Sequence, residues 1–331
     1  MRKNILLSIR YLFFLFLGLL LAWLSLRNIT REEWTDIDAA LQHARYFLLA
    51  PIIILYLLSN WSRAVRWKIL IGSLGYRPST VNVFFAVLAG YLVNLAIPRL
   101  GEVVKCSVLG KHEKMPVSPL LGTILVERAV DIICLLIVFA LAIGLQADAV
   151  SAYALSLVQN GARSSNWKGA LLLLGVVMLV VVLLVVLFRY FSGNPVVQRI
   201  KAVAIGIWEG VAGIRKMENK GWFVFHTVLI WCLYYICTRL GLYALKELDG
   251  IGPAAALSVL GVGSIGMVVT PGGIGAYQYL VQKILVLYGV SDALGKAAGW
   301  VLWLVPTIVL IVGGMASFLV LTPKRPKKEK L

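Results

Sequence analysis

Residues 254–288 read AAALSVLGVGSIGMVVTPGGIGAYQYLVQKILVLY. Both ends of this stretch are apolar enough to sit in lipid, but its centre, Thr270-Pro271-Gly272-Gly273-Ile274-Gly275, cannot continue a helix. Proline lacks the amide donor, and glycine is entropically costly inside a helix. Irregular backbone at membrane depth persists only where protein buries it or where it lines a wet cavity. The stretch therefore predicts two short helical arms meeting at a break inside the bilayer.

Residues 80–110 repeat the pattern. An apolar arm ends at Pro98-Arg99-Leu100-Gly101-Glu102, and a second short arm follows. This break also carries charge, in Arg99, Glu102 and Lys105. Interrupted segments at matching positions of two halves point to a transporter-type binding site at their interface.

Composition agrees. The chain has 331 residues, 60% hydrophobic and only 14% charged, which indicates a polytopic membrane protein. The net charge of +17 resides in short basic loops beside apolar spans, so membrane topology explains it and nucleic-acid binding is not expected. Cys106, Cys134, Cys232 and Cys237 form no C-x-x-C pair. The histidines His43, His112 and His226 are scattered, so neither a disulfide framework nor a metal site is expected. No cofactor is expected.

The expected fold is an all-α polytopic membrane protein with about six full spans and two broken or re-entrant hairpins. Repeat 1 covers residues 1–146, with spans 5–26, 46–71 and 118–145 and a hairpin at 80–110. Repeat 2 covers 147–321, with spans 170–191, 222–245 and 297–321 and a hairpin at 254–288. Amphipathic elbows are read at 28–45, with Trp34, Ile37 and Leu41 on one face, and at 195–217. Residues 322–331 form a basic tail. With the N-terminus cytoplasmic and each hairpin entering and leaving on one side, basic residues clearly outnumber on the inside, as the positive-inside rule requires. The same five-element series then begins inside in one half and outside in the other, an inverted-topology repeat. Both termini are expected on the cytoplasmic side of a bacterial inner membrane.

The strongest ionisable cluster is in the span at 118–145. Glu127, Arg128 and Asp131 lie roughly 13–20 Å along a helix from Ser118 at ~1.5 Å per residue, near mid-bilayer. Charges there cost at least about 2.5–3.5 kcal/mol each on insertion scales, so they must face the interior and pair. Two readings stand side by side: an ion pair pinning the 80–110 hairpin through Glu102 or Arg99, and direct contact with a substrate head group. Arg63 and Arg66, three apart at the end of a span, suit an anionic phosphate, whereas Lys68 reads as a topology marker. Arg239 and Lys283 are candidate second phosphate contacts. Thr270, Gly272, Gly273, Gly275 and Gln278 are candidates for lining a cavity at the second break. Gly261-x-Gly263-x-x-Gly266 spells a dinucleotide fingerprint, but no strand precedes it, so these glycines are expected to serve close packing. No catalytic motif occurs, and no catalytic residue is assigned.

Four motifs occur in order: Arg63-Ala-Val-Arg66-Trp67, Pro98-Arg99-Leu-Gly101-Glu102, Glu127-Arg128-Ala-Val-Asp131 and Pro271-Gly-Gly-Ile-Gly275. Together they resemble the lysylphosphatidylglycerol synthase transmembrane region, also called the flippase-like integral membrane family, over about residues 5–321. The resemblance implies movement of aminoacylated phospholipid between leaflets. Some members carry a synthetase domain after this region; here the sequence ends at Leu331 without one, so lysine attachment is not expected. Many members have an acidic residue shortly after the second break, where this chain has Gln278.

The expected function is a lipid translocase or lipid-head-group binder acting on phospholipid or a lipid-linked substrate. The alternatives are an intramembrane glycosyl- or acyl-transferase and a non-catalytic partner of an envelope enzyme. Besides lipid, the partners considered are a second copy of the chain, as a homodimer, and a separately encoded envelope-lipid enzyme.

Overall fold

The computed structural model describes residue 23, residues 30–145 and residues 217–321. The expected spans at 5–26 and 170–191, most of the 195–217 elbow, and the basic tail lie outside the described residues. Those residues form nine α-helices and no strand: α1 (Arg31–Gln42), α2 (Leu49–Gly72), α3 (Thr80–Ala96), α4 (Leu100–His112), α5 (Val117–Gly144), α6 (Lys220–Tyr243), α7 (Pro253–Val269), α8 (Ala276–Leu287) and α9 (Asp292–Leu321). Three of the described helical segments are long and apolar enough to cross a membrane: Tyr46–Gly72, Lys220–Tyr243 and Asp292–Leu321. Helix α5 has the length, at 28 residues, but carries the buried Glu127 and the partly exposed Arg128 and Asp131 near its middle.

Both breaks fall where the sequence places them. In the first, Ile97 is extended and Arg99 is left-handed at φ 68°, a conformation that costs a non-glycine residue roughly 1–2 kcal/mol. Asn94 offsets the interruption, because its Oδ1 accepts the Gly101 amide at 2.8 Å, one of the donors that a helix start leaves open. The arms then cross so closely that a Cβ on Gly101 would lie 1.9 Å from the Gly90 carbonyl oxygen. In the second break, Pro271–Gly273 forms a single 3-10 turn between α7 and α8, with positive φ at Gly272, Gly273 and Gly275.

Helices α2 and α6 form a central antiparallel pair. Ile52 meets Cys237 near one end, and Ser62 meets His226 near the other. Around this pair the hairpins exchange partners. Helix α9, which follows the second hairpin, packs on α3 of the first, where Gly313 and Gly314 lie against Leu88 and Leu92. Helix α5, which follows the first hairpin, packs on α7 of the second, where Gly261 lies against Phe139. Gly263 and Gly266 accept Tyr277 at the same close range, so all three fingerprint glycines serve packing.

Two apolar cores result. One gathers Trp67, Ile71, Val83, Leu109, Leu120 and Phe223; the other gathers Ile37, Leu242, Leu245, Val259, Leu285 and Ala297. The elbow α1 supplies Ile37 to the second core, but Trp34, expected on the same face, is exposed. Arg45 fastens the elbow's end. Its guanidinium makes two 2.6 Å hydrogen bonds to Asp249, which hold that carboxyl below the usual carboxylate range.

The arm crossing gives a direct test. Gly101→Val should lower thermal stability in detergent by about 1–3 kcal/mol or more, because neither backbone can yield. Gly122→Ala, where nothing lies within 4 Å, should leave the melting temperature unchanged. Equal melting of the two variants would show that the arms do not cross at Gly90.

Candidate functional site

Helices α2, α4 and α5 bring five charged side chains together in the interior. Glu127 is fully buried and acts as the hub. Its Oε2 accepts Lys105 Nζ at 2.7 Å, and its Oε1 accepts Arg63 Nη1 at 3.2 Å and Arg66 Nη2 at 3.4 Å. Asp131, one turn further on α5, accepts the same two arginines at 2.9 and 2.8 Å. The i, i+4 spacing puts both carboxylates on one face, and the i, i+3 spacing of Arg63 and Arg66 matches it from α2.

Aromatic groups wall the cluster. Lys105 Nζ sits 4.3 Å from the centre of the Trp67 ring, and Trp67 Nε1 donates to Thr123 Oγ1 at 2.8 Å. Arg63 Nη2 donates to Tyr234 of α6 at 3.1 Å, and its guanidinium lies 5.9 Å from the Tyr91 and Tyr234 rings. Arg66 lies 5.9 Å from the Phe223 ring. A cation over an aromatic face in a desolvated site gains up to about 2 kcal/mol, which offsets part of the burial cost.

The cluster has a more open side. Arg128 Nε approaches Glu102 Oε1 at 3.0 Å, with side-chain exposures of 41% and 27%, and Arg128 Nη1 is 3.9 Å from Asp131 Oδ2. Arg99 is exposed at the tip of the hairpin. Around the hub, Lys105, Arg63 and Arg66 face two carboxylates, while Arg128 and Glu102 balance each other. The buried group thus holds one more cation than anion.

The remaining sequence candidates lie in other settings. Arg239 donates to the Ile251 carbonyl and the Tyr243 hydroxyl. Lys283 pairs with Asp292 at 3.1 Å, and Lys296 joins the same carboxylate at 2.9 Å. Thr270 donates to the Ile274 carbonyl, and Trp303 Nε1 donates to the Gly272 carbonyl at 2.7 Å, which closes the turn on itself. Gly272 and Gly273 are buried; a Cβ on Gly273 would meet Met267 Sδ at 2.5 Å, and one on Gly272 would meet Leu95 at 2.9 Å. Gln278 is fully buried with neither amide atom hydrogen-bonded among the described residues. Lys68, read as an interfacial marker, donates to Thr80 at 2.8 Å. Trp67, Thr123, Tyr91 and Tyr234 were absent from the sequence candidates. Trp67 was within reach, being adjacent to Arg66 and four residues from Arg63, whereas nothing in the spacing singles out the two tyrosines. Among the described residues no group of His, Cys, Asp and Glu could hold a metal ion.

A buried set of paired charges thus joins one arm of a broken hairpin to α2 and α5. The family model of the lysylphosphatidylglycerol synthase TM region matches residues 7–314. The chain belongs to this family. It is a membrane protein. It is 31% identical over 133 residues to UPF0104 membrane protein MJ1595 of Methanocaldococcus jannaschii, an alignment covering 39% of this chain and 36% of that protein. It is 25% identical over 338 residues to Glycosyltransferase AglD of Haloferax volcanii, covering 91% of this chain and 53% of that one. The chain therefore spans about a third and about half of the length of these two relatives. No solved structure matches it.

The hub makes a ranked prediction. Glu127→Gln leaves buried cations without their shared counter-ion and should cost about 3–5 kcal/mol. Glu102→Gln removes a single, partly exposed contact and should cost clearly less. Thermal unfolding of the two variants in one detergent checks the order, and a greater loss in Glu102→Gln would remove Glu127 from the hub.

Proposed function

We propose that this protein is a flippase-like lipid translocase, or lipid-head-group binder, acting on phospholipid or a lipid-linked substrate. The observation that carries the reading is the buried cluster of Arg63, Arg66, Lys105, Glu127 and Asp131, one positive charge in excess, where an interrupted hairpin meets α2 and α5 in a membrane protein. Charges at that depth are expensive and mark substrate pathways by default. A head-group phosphate supplies the missing negative charge, and the half-exposed Arg128, Glu102 and Arg99 give it a polar approach.

The reading includes an inverted-topology repeat, residues 1–146 against 147–321, with six full spans and both termini on the cytoplasmic side of a bacterial inner membrane. Its support is the reciprocal packing of α9 on α3 and α5 on α7 about the α2–α6 pair. Discontinuous helices at a repeat interface are a recurring way to build a mid-membrane site. Single-cysteine labelling in a Cys-free background should find Ser79 and Lys111 on the cytoplasmic face and Gly250 and Asp292 on the opposite face. Positions flanking one hairpin that label from opposite sides would end the repeat.

A second reading, an intramembrane glycosyl- or acyl-transferase, draws on the glycosyltransferase named among the relatives. That alignment leaves nearly half of the named protein unmatched, so the activity in the name belongs to the whole protein. Reconstitution separates the readings. The wild type in liposomes should move fluorescent phospholipid between leaflets without chemical change, and Lys105→Gln should slow this at least tenfold. Product formation from a lipid-linked sugar without lipid movement would favour the transferase.

A further inference from the structure

Asn60 precedes Arg63 by three residues on α2, so the two side chains share a face, and both are buried. Each keeps one polar atom without a hydrogen-bond partner among the described residues: Oδ1 of Asn60 and Nε of Arg63. The Asn60 amide is fixed in orientation, because its Nδ2 donates to the Tyr56 carbonyl at 2.8 Å, so the open atom is an acceptor. Arg63 is fixed by Glu127 and Asp131 at Nη1 and by Tyr234 at Nη2, so its open atom is a donor. Native interiors pair nearly all such groups, and an acceptor and a donor left open on one helix face call for an explanation.

Three phenols surround this pair. Tyr234 of α6 accepts Arg63 Nη2, the ring of Tyr91 of α3 lies 5.9 Å from the guanidinium carbon, and Tyr56, one turn before Asn60, is within electrostatic reach of Arg63. All three tyrosines are partly exposed, so they form a mouth with Asn60 and Arg63 as its floor. Tyr91 is also within electrostatic reach of Arg128, which joins the mouth to the polar approach described above. Trp231, edge-on to Tyr234 at 6.1 Å, adds Nε1 as another buried donor without a partner among the described residues. We propose that this recess between α2, α3 and α6 seats a neutral hydroxyl of the head group, the polyol class of glycerol and sugars. A hydroxyl both donates and accepts, so one such group satisfies Asn60 Oδ1 and Arg63 Nε together. An ammonium only donates; it leaves Nε open and adds a fourth cation beside Arg63, Arg66 and Lys105. The inference deepens the head-group reading above and rests on it for the phosphate that brings the hydroxyl in.

Binding of short-chain lipids to the purified full chain in detergent tests this, by calorimetry and by the ligand-induced rise in melting temperature. The probes share one phosphodiester and differ beyond it. Dihexanoyl phosphatidylglycerol carries hydroxyls, dihexanoyl phosphatidylmethanol carries none, and dihexanoyl phosphatidylethanolamine carries an ammonium. A site built to bond a hydroxyl rejects the analogue lacking it, so the wild type should bind phosphatidylglycerol at least about tenfold more tightly than either of the others. Asn60→Leu removes the acceptor and leaves no open polar atom in its place, so it should hold phosphatidylglycerol and phosphatidylmethanol within about threefold of each other. Equal wild-type binding of those two lipids would remove the hydroxyl seat and leave the head-group reading standing. Tighter binding of phosphatidylethanolamine, or full selectivity kept in Asn60→Leu, would do the same. No binding of any of the three would remove both. The wild-type ranking decides the matter even if Asn60→Leu does not fold.

Discussion

Placing charge where water cannot reach it is the constraint on which this structure depends. Glu127 meets it by sharing its two oxygens among three cations, and Asp131 repeats the service for two of them. Each interaction is strong in a low-dielectric interior, but the gain must first recover the cost of desolvating both partners. That balance closes only with good geometry and further hydrogen bonds, which explains why Thr123, Tyr234 and the Trp67 ring surround the cluster. The hub therefore dictates the positions of α2, α4 and α5 together.

The architecture around it follows from the same need. A straight α4 continuing α3 could not return toward α5, so the break at Pro98 is what lets Lys105 reach Glu127. The break in turn leaves amides open, which Asn94 answers, and it forces a close crossing, which Gly90 and Gly101 allow. Proline, asparagine, glycine and lysine at these positions form one solution.

Much of this was legible in the sequence because it rests on local chemistry. Proline and glycine set close together interrupt a helix, so both breaks and the bounds of α2, α5 and α6 could be read within a few residues, although Pro306 alone leaves α9 continuous. The face shared by Glu127 and Asp131 follows from helical period alone. What could not be read depends on which helices become neighbours. Arg63 and Arg66 were matched to phosphate, while the fold gives them carboxylates from 61 to 68 residues away. The pin through Glu102 is there, made to Arg128 of α5 on the more open side, but the buried contact from the same hairpin is made by Lys105 to Glu127. The period of the chain likewise says nothing of the Leu95 and Met267 side chains that lie against Gly272 and Gly273 in the turn at Pro271.

The two hairpins are fastened by unlike means. The first is latched to α5 by Lys105 and Glu102, through contacts between polar atoms that can change partner without opening a void. The second is seated by glycine against backbone: Gly266 against Tyr277, Gly295 against Gln282 and Gly299 against Gln278. Close-packed backbone transmits strain and does not slide. The two hairpins therefore meet their neighbours differently even where their helices correspond: charged side chains join the first to α5, and close-packed backbone seats the second on α9.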